Sequence, residues 1–483
     1  MSKYETVIGL EIHTELLTKS KIFCGCTTEF GGDPNSHCCP VCLGLPGALP
    51  VMNQQAIEYA VSAGLALNCR IPRYNKFDRK NYFYPDLPKA YQISQFDLPI
   101  CVDGFVEYEL EGERLRAGIT RAHLEEEAGK SVHSGNSILG SDFSLMDYNR
   151  SGIPLIEIVT EPDLRSPAQA RSFLEQLKSI LEYTKVSDCK MQEGSLRCDA
   201  NVSLRPVGSL ELGTKVEIKN LNSFKAIERA LEYEVHRQAQ VYDQGGRIVQ
   251  ETRAWDDVAG ITVTMRSKEE SHDYRYFPDP DLVPIEIDAH WVERLTDALP
   301  ELPLAKKQRF IESYGLSDYE AGVLTASQDF ALFFEQTVAE YQNGKDVANW
   351  LMGEFSKLLN NARITITDTQ VTPRQLAELL MTIDKGLISG TQGKEVLSAM
   401  FTSGLNPSVI IKDKGMQQIS DSQALAGVVD QILADNPKEF ERLQQGNEKL
   451  LGFFVGQVMK ETKGKANPQV VNQIISERLR ELS

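Results

Sequence analysis

Several stretches of the chain carry acids and histidine at the spacing of a half-buried strand. In Thr6 to Leu16, a period-two reading puts Thr6, Ile8, Leu10 and Ile12 on one face and Glu11, His13 and Glu15 on the other. From Gly118 onward, Thr120, Ala122, Leu124 and Glu126 share one face, and Ile119, Arg121, His123 and Glu125 the other. Arg197 to Leu204 sets Arg197, Asp199, Asn201 and Ser203 opposite Cys198, Ala200, Val202 and Leu204, and Lys215, Glu217 and Lys219 line one side of a shorter segment. Any one of these alone reads as an antiparallel strand with one face in water. Their recurrence points to a site for Mg²⁺ or Mn²⁺, which favour oxygen ligands, with His13 acting directly or through a water.

The cysteines form the most specific local motif. Cys24-Gly25-Cys26 is followed by Cys39-Pro40-Val41-Cys42, two pairs that can close on one tetrahedral zinc. Four thiolates leave no open position, so such a zinc would be structural. Cys38 and His37 are alternative ligands on the same loop. Cys69, Cys101, Cys189 and Cys198 are scattered and read as small buried hydrophobes.

HLEEEAGKS, His123 to Ser131, ends like a nucleotide-binding P-loop but lacks its first glycine, where Leu124 stands. The three preceding glutamates would repel phosphate, so a Walker loop is excluded. KFDRKNYFYPDLPKAYQISQ, Lys76 to Gln95, reads as irregular, either a self-packed surface loop or a substrate-facing one in which Arg79, Lys80 and Lys89 meet phosphate. DYRYFPDPDL, Asp273 to Leu282, has the same character. From Lys449 onward, six basic residues face three acidic ones, and KETKGKANPQ is a basic turn suited to RNA backbone.

The elements that must position these groups fall into three zones. Residues 1–295 are strand-rich and read as a mixed α+β, largely antiparallel domain, with Asp103-Gly104 as a hairpin turn and a helix from Pro167 to about Thr184. Leu299 to Pro303 resembles a linker. Residues 296–406 and 407–483 read as two all-helical domains, with Thr372-Pro373 and Asn436-Pro437 each opening a helix. With 51 basic and 68 acidic residues the net charge is −17, which excludes a general nucleic-acid coater. No signal-peptide or membrane-length apolar run is seen and nine cysteines do not suggest a disulfide framework, so a soluble, cytoplasmic protein is expected.

IGLEIHTEL, the Lys76–Gln95 stretch, HLEEEAGKS, DYNRSGIPLIEIVTEPD, EGSLRCDANVS, EIKNLNSF, DYRYFPDPDL, NWLMG and GQVMKETKGKANP follow one another in this order. Together they closely resemble the GatB family of bacterial aspartyl/glutamyl-tRNA amidotransferases over nearly the whole chain. The resemblance implies a ligase working in a heterotrimer. The amidase partner releases ammonia from glutamine, and a small third protein encircles the other two. The GatB member activates misacylated Glu-tRNA(Gln) or Asp-tRNA(Asn) with ATP as an acyl phosphate.

It further implies a cradle-shaped catalytic domain at 1–295 with a zinc knuckle at 24–42, a helical domain, and a YqeY-like tail that contacts tRNA. By motif, Glu11, His13, Glu126 and Glu217 match Mg²⁺-ligand positions and Asp199 lies in a matching segment. Glu11 and Glu126 are thus expected to be catalytic, with Lys130 assisting phosphate. Cys24, Cys26, Cys39 and Cys42 match the zinc knuckle of many members. Lys460, Lys463 and Lys465 are the tRNA candidates. No G-x-S-x-G, Ser-Lys amidase or cysteine-glutaminase signature is seen, so ammonia is expected from another chain. The competing classes are a tRNA-binding scaffold with a decayed site and a zinc hydrolase.

Overall fold

The computed structural model describes residues 3–133, 143–267, 273–416, 422–445, 447, 449–462 and 466–481. The chain divides into two compact units, residues 1–304 and 305–483. The first is α+β and the second is helical.

The first unit is built on an eight-stranded sheet. Its strands are β1 (Tyr4–Glu15), β2 (Cys101–Leu110), β3 (Glu113–Glu126), β4 (Pro154–Thr160), β5 (Leu196–Pro206), β6 (Val216–Lys219), β7 (Glu251–Asp256) and β8 (Ile261–Ser267). Their order across the sheet is β8-β7-β6-β5-β1-β4-β3-β2, antiparallel throughout except for the parallel pair β6 and β7. β1 therefore lies near the centre, paired on both edges.

Alternation in β1 has its expected effect: Ile8, Leu10 and Ile12 are buried to 2 % exposure or less, while Glu11, His13 and Glu15 stay partly open on the other face. Three helices cover the apolar face: α1 (Gln54–Ala66), α2 (Pro167–Tyr183) and α3 (Phe224–Asp243). Asn53, Ser166 and Ser223 cap their first turns through side-chain oxygens. Phe173, Leu174 and Leu177 of α2 and Ile227 and Leu231 of α3 join Ile8, Leu10 and Ile12 in one hydrophobic core. Full burial of each such side chain stabilises the unit by about 1.5–3 kcal/mol. One face is thereby fixed as core and the polar face is held in register by the same pairings.

Two expectations need correction. Asp103-Gly104 lies inside β2, and the hairpin turns instead at Glu111-Gly112, where both residues have positive φ, 53° and 82°. A two-residue turn with positive φ at both positions follows the right-handed twist of the strands. Asp103 has φ 54° within the strand, so the dipeptide's left-handed tendency is present without a chain reversal. The Lys76–Gln95 stretch is also more regular than its composition suggests. Asp78–Asn81 pairs with Tyr91–Ser94, and Phe277–Pro278 adds to the free edge, so the two aromatic segments meet in one small sheet.

In the second unit, Thr372 caps the helix Pro373–Asp384 through a reciprocal bond with Gln375, as the Thr-Pro signal implies. Pro437 likewise begins a helix, Pro437–Gln444. The helices bury two hydrophobic clusters, one spanning Phe310 to Ile411 and another spanning Leu425 to Ile475. Helix Pro407–Asp413 packs Ile410 and Ile411 into the first of these. None of the described helices is long and apolar enough to cross a membrane.

Candidate functional site

Register brings the ligand-type side chains of three strands together. His13 of β1 lies opposite Glu157 of β4, and Glu157 lies opposite His123 of β3, so the three form one row across the sheet. Both imidazoles converge on the same carboxylate oxygen: Nε2 of His13 is 3.3 Å, and Nε2 of His123 3.4 Å, from Glu157 Oε2. His13 Nε2 also lies 3.4 Å from Glu125 Oε1 and 3.9 Å from Glu11 Oε1. Glu157, His123 and Glu125 are 5 %, 4 % and 3 % exposed, so their polar atoms need partners within the protein. Yet Glu125 Oε2 and His123 Nδ1 have none. Burial that leaves a carboxylate oxygen unsatisfied costs free energy unless a cation or water completes it. The ligating atoms of Glu11, His13 and Glu157, and those of His123, Glu125 and Glu157, each lie within 4.8 Å of one another. This donor set fits a divalent cation.

The charges of the row depend on one another. Burial opposes ionisation of Glu157, but His123 and His13 outweigh it and hold its carboxyl well below the usual range. Burial would likewise lower the His13 imidazole. Its hydrogen bond to Glu157 and the charges of Glu125, Glu157 and Glu11 prevail and raise it to about 9. Burial first, then Glu157, pushes Glu11 up, against the pull of His13.

A second polar group adjoins Glu11. Asp199 of β5 is its cross-strand partner, and Lys219 of β6 bonds Asp199 and lies 2.9 Å from Glu217. Thr252 donates to the other oxygen of Glu217 at 2.7 Å. Asp199 thus stands beside Glu11, and Lys219 links it to Glu217 one strand further on. On the other side, Arg197 is the cross-strand partner of His13 and bonds Glu127, which Arg150 also reaches at 3.3 Å. Glu15, next along β1, is raised to about 7 by burial and by Glu127, against the pull of Arg150 and Arg197.

Glu126 is not in this cluster. Its neighbour Glu125 faces His13, so alternation turns Glu126 to the opposite side of β3, where Lys89 Nζ lies 2.6 Å from Oε2 and Ile93 N–H donates at 2.8 Å. The structure thus brings Glu125, rather than Glu126, together with Glu11 and His13. Period-two alternation places Glu126 on the same face as Leu124. Arg79 is also held, by Asp279 and Asp281 at 2.8 Å each and over the Tyr91 ring. Lys80 Nζ lies 5.9 Å and 4.9 Å from the centres of the Tyr82 and Tyr274 rings, and, against burial, the charges of Glu125 and Glu157 raise its pKa.

Lys130 is exposed and begins a short hairpin strand opposite Asp147. The glycine before it has a packing reason: a Cβ on Gly129 would lie 2.9 Å from the Tyr148 ring and 3.0 Å from the Asp86 carbonyl. Lys460 is exposed in the last turn of helix Lys449–Glu461, while Lys463 and Lys465 lie outside the described residues. The residue that sequence reasoning missed is Glu157. Its signal was a single acid within the apolar run Leu155-Ile156-Glu157-Ile158-Val159.

The sulfurs of Cys24, Cys26, Cys39 and Cys42 lie within 4.8 Å of one another. A tetrahedral zinc with bonds of about 2.3 Å needs sulfurs about 3.8 Å apart, a modest contraction. Cys39 N–H donates to Cys42 Sγ at 3.1 Å. Lys21 is fully buried, donates to the His37 carbonyl at 2.8 Å and lies 3.7 Å from Cys42 Sγ. The Cys42 thiol is lowered to about 4, first by the hydrogen bond from Cys24 and then, against burial, by the Cys39 N–H and Lys21. Cys38 stands apart, with its sulfur 4.0 Å from Asn149 Oδ1, and neither it nor His37 belongs to the cluster.

A family model described as the GatB/GatE catalytic domain matches residues 6–293, and one described as the GatB domain matches residues 332–479. The B subunit of the aspartyl/glutamyl-tRNA(Asn/Gln) amidotransferase of Thermoanaerobacter sp. (strain X514) is 59 % identical, with 99 % of each chain covered. The protein of the same name from Carboxydothermus hydrogenoformans is 57 % identical over 100 % of both chains. That from Brevibacillus brevis is 55 % identical, again over 100 % of both.

Proposed function

The chain belongs to the GatB family of amidotransferase subunits, and from that premise we propose that it activates a tRNA-borne carboxylate with ATP. Its substrate is misacylated Glu-tRNA(Gln), Asp-tRNA(Asn) or both. A side-chain carboxylate oxygen attacks the γ-phosphorus and ADP leaves. Ammonia then attacks the acyl carbon of the acyl phosphate, inorganic phosphate leaves with the bonding pair, and a proton is lost from nitrogen to give the amide.

The observation that carries this reading is the convergence of His13, His123, Glu11, Glu125 and Glu157 from three adjacent strands, with buried acceptor capacity left over. These residues would hold Mg²⁺, which when bound neutralises charge on the transferring phosphoryl group. Glu157 orients both imidazoles, and their attraction keeps it ionised for that task. Lys80, among its tyrosines, is the lysine best directed to attract an anion to the same place. Lys219 keeps Asp199 and Glu217 at the edge of the acidic floor, where either could exchange its ion pair for a cation. The role of the four cysteines is structural: a closed thiolate set holds the loop of 24–42 and offers no position for substrate.

Ammonia comes from a partner amidase, with a small third protein completing a heterotrimer, and the helical second unit, including Lys460, contacts the tRNA. The test is ADP release by the heterotrimer given Glu-tRNA(Gln) and Mg-ATP without glutamine. Loss of release in Glu157→Gln, with tRNA binding intact, is the expected result. Unchanged release would remove phosphorylation from this cluster, and glutaminase activity of the isolated chain would overturn the division of labour.

A further inference from the structure

β1 carries a third outward acid beyond the cluster. Glu15 lies two residues past His13 on the same face and lines a cavity of about 580 Å³, together with Thr18, Phe30, Asp188 and Lys190. A second cavity of about 200 Å³ shares Glu15 and Phe30 with it and extends to Lys130 and Arg150. The larger volume falls in the range that admits a small organic ligand.

Three of the neighbouring acids, Asp188, Glu193 and Glu127, are already partnered. Lys190 lies 3.6 Å from Asp188 and 3.2 Å from Glu193, while Glu127 holds Arg150 and Arg197. Among the described residues, the Glu15 carboxylate has no hydrogen bond or ion pair. The charges it faces most strongly are Glu127 and Asp188, and Arg150 and Arg197, which balance one another. A half-buried carboxylate in that position favours a cationic ligand.

We propose that Glu15 receives the α-ammonium group of the aminoacyl ester whose side-chain carboxylate is presented to the His13–Glu157 row. This rests on the carboxylate-activating reading above. Residues i and i+2 of a strand are about 6.6 Å apart. In a glutamyl group four bonds, a span of roughly 5 Å, separate the side-chain carboxyl carbon from the α-nitrogen. An ester with its carboxylate at the row thus reaches Glu15 with its ammonium, and the terminal ribose extends into the adjoining cavity. An aspartyl group is one bond shorter and is brought closer by the flexible Glu15 side chain.

The experiment compares Glu-tRNA(Gln) with N-acetyl-Glu-tRNA(Gln), which lacks the positive charge, as substrates for ADP release by the heterotrimer. Wild type is expected to favour the free amine by about tenfold to a hundredfold in kcat/KM, the range of a hydrogen bond to a charged group. Glu15→Gln is expected to lose that preference, by a fall on the unmodified substrate only. Glu15→Asp is expected to retain part of it. Equal use of both substrates by wild type would overturn the proposal without any variant, and so would an equal loss by Glu15→Gln on both. If wild type releases no ADP on the unmodified substrate, the carboxylate-activating reading itself falls. Mn²⁺ binding by Glu15→Gln, measured by titration calorimetry, is expected to match wild type within about threefold. A larger loss would make Glu15 a cation ligand and overturn its role with the ammonium.

Discussion

The two places where this chain gathers ligand-type side chains are built in opposite ways. The four cysteines lie on one stretch, residues 24–42, supported by a buried lysine and a backbone N–H. The acid–histidine row draws on residues as far apart as 11 and 157 and is held together by strand register. The first is a local loop whose sulfurs are gathered by residues close in sequence. The second is set by the core, because the alternation that buries Ile8, Leu10 and Ile12 also fixes the direction of Glu11 and His13. Preorganisation of the row therefore comes with folding, and its unsatisfied carboxylate oxygen is available to a cation.

The comparison breaks first at Glu157. Glu157→Gln removes the carboxylate shared by both histidines and should lower tRNA-stimulated ADP release by about 10²–10³-fold, the usual size for a charge-stabilising group. Circular dichroism should show the fold intact. If release falls less than about fivefold, the row is not the site.

Cys39→Ser should have the complementary effect. We expect the unfolding midpoint to fall by on the order of 5–10 °C, equivalent to a few kcal/mol, as measured by scanning calorimetry. Activity per folded molecule at low temperature should be nearly unchanged. Loss of activity without loss of stability would move the cysteines from support to chemistry.

Glu126→Gln tests the assignment of the adjacent acids. Lys89 is 7 % exposed and Glu126 3 % as side chains, so removing one charge strands the other and should destabilise by about 3 kcal/mol. Denaturant unfolding measures this, and Mn²⁺ affinity should be unaffected. Weakening of Mn²⁺ binding in Glu126→Gln, with none in Glu125→Gln, would reverse the assignment.

The smallest effect is the pH dependence of cation binding. With its pKa at about 9, His13 carries a proton at neutral pH and must release it before it can ligate. Affinity should therefore rise toward pH 9, by up to about tenfold per unit, and then level off. Calorimetry in buffers of different ionisation enthalpy should detect a proton released per cation bound at pH 7. No release would leave His13 protonated beside the cation, outside its ligand shell.

Much of this was legible in the sequence, where one residue's neighbours along the chain decide its conformation. The polar faces of β1 and β5, the helix from Pro167 and the capped start at Thr372-Pro373 all follow from local periodicity or local hydrogen bonding. The cysteine set could also be read from spacing. The identity of the acidic partners could not, because it depends on which strands become neighbours. Glu157 lies more than a hundred residues from His13, and only the order β1-β4-β3 brings them together. Glu125 and Glu126 show the limit of motif matching, since a one-residue ambiguity in a run of three glutamates is a choice between opposite faces of a sheet. Asp103-Gly104 shows the limit of turn signals: a left-handed residue was present, but the neighbouring Glu111-Gly112 made the reversal.

The double pairing of β1 has a further consequence for how this protein can change over time. A single-residue insertion or deletion between Glu11 and Glu15 would exchange inward and outward positions for the rest of the strand, burying acids and exposing isoleucine. Stability and chemistry would fail together, with no intermediate that preserves one of them. β1 is therefore held to constant length by its pairing on both edges, whereas the loop between the two cysteine pairs contributes no strand to the eight-stranded sheet.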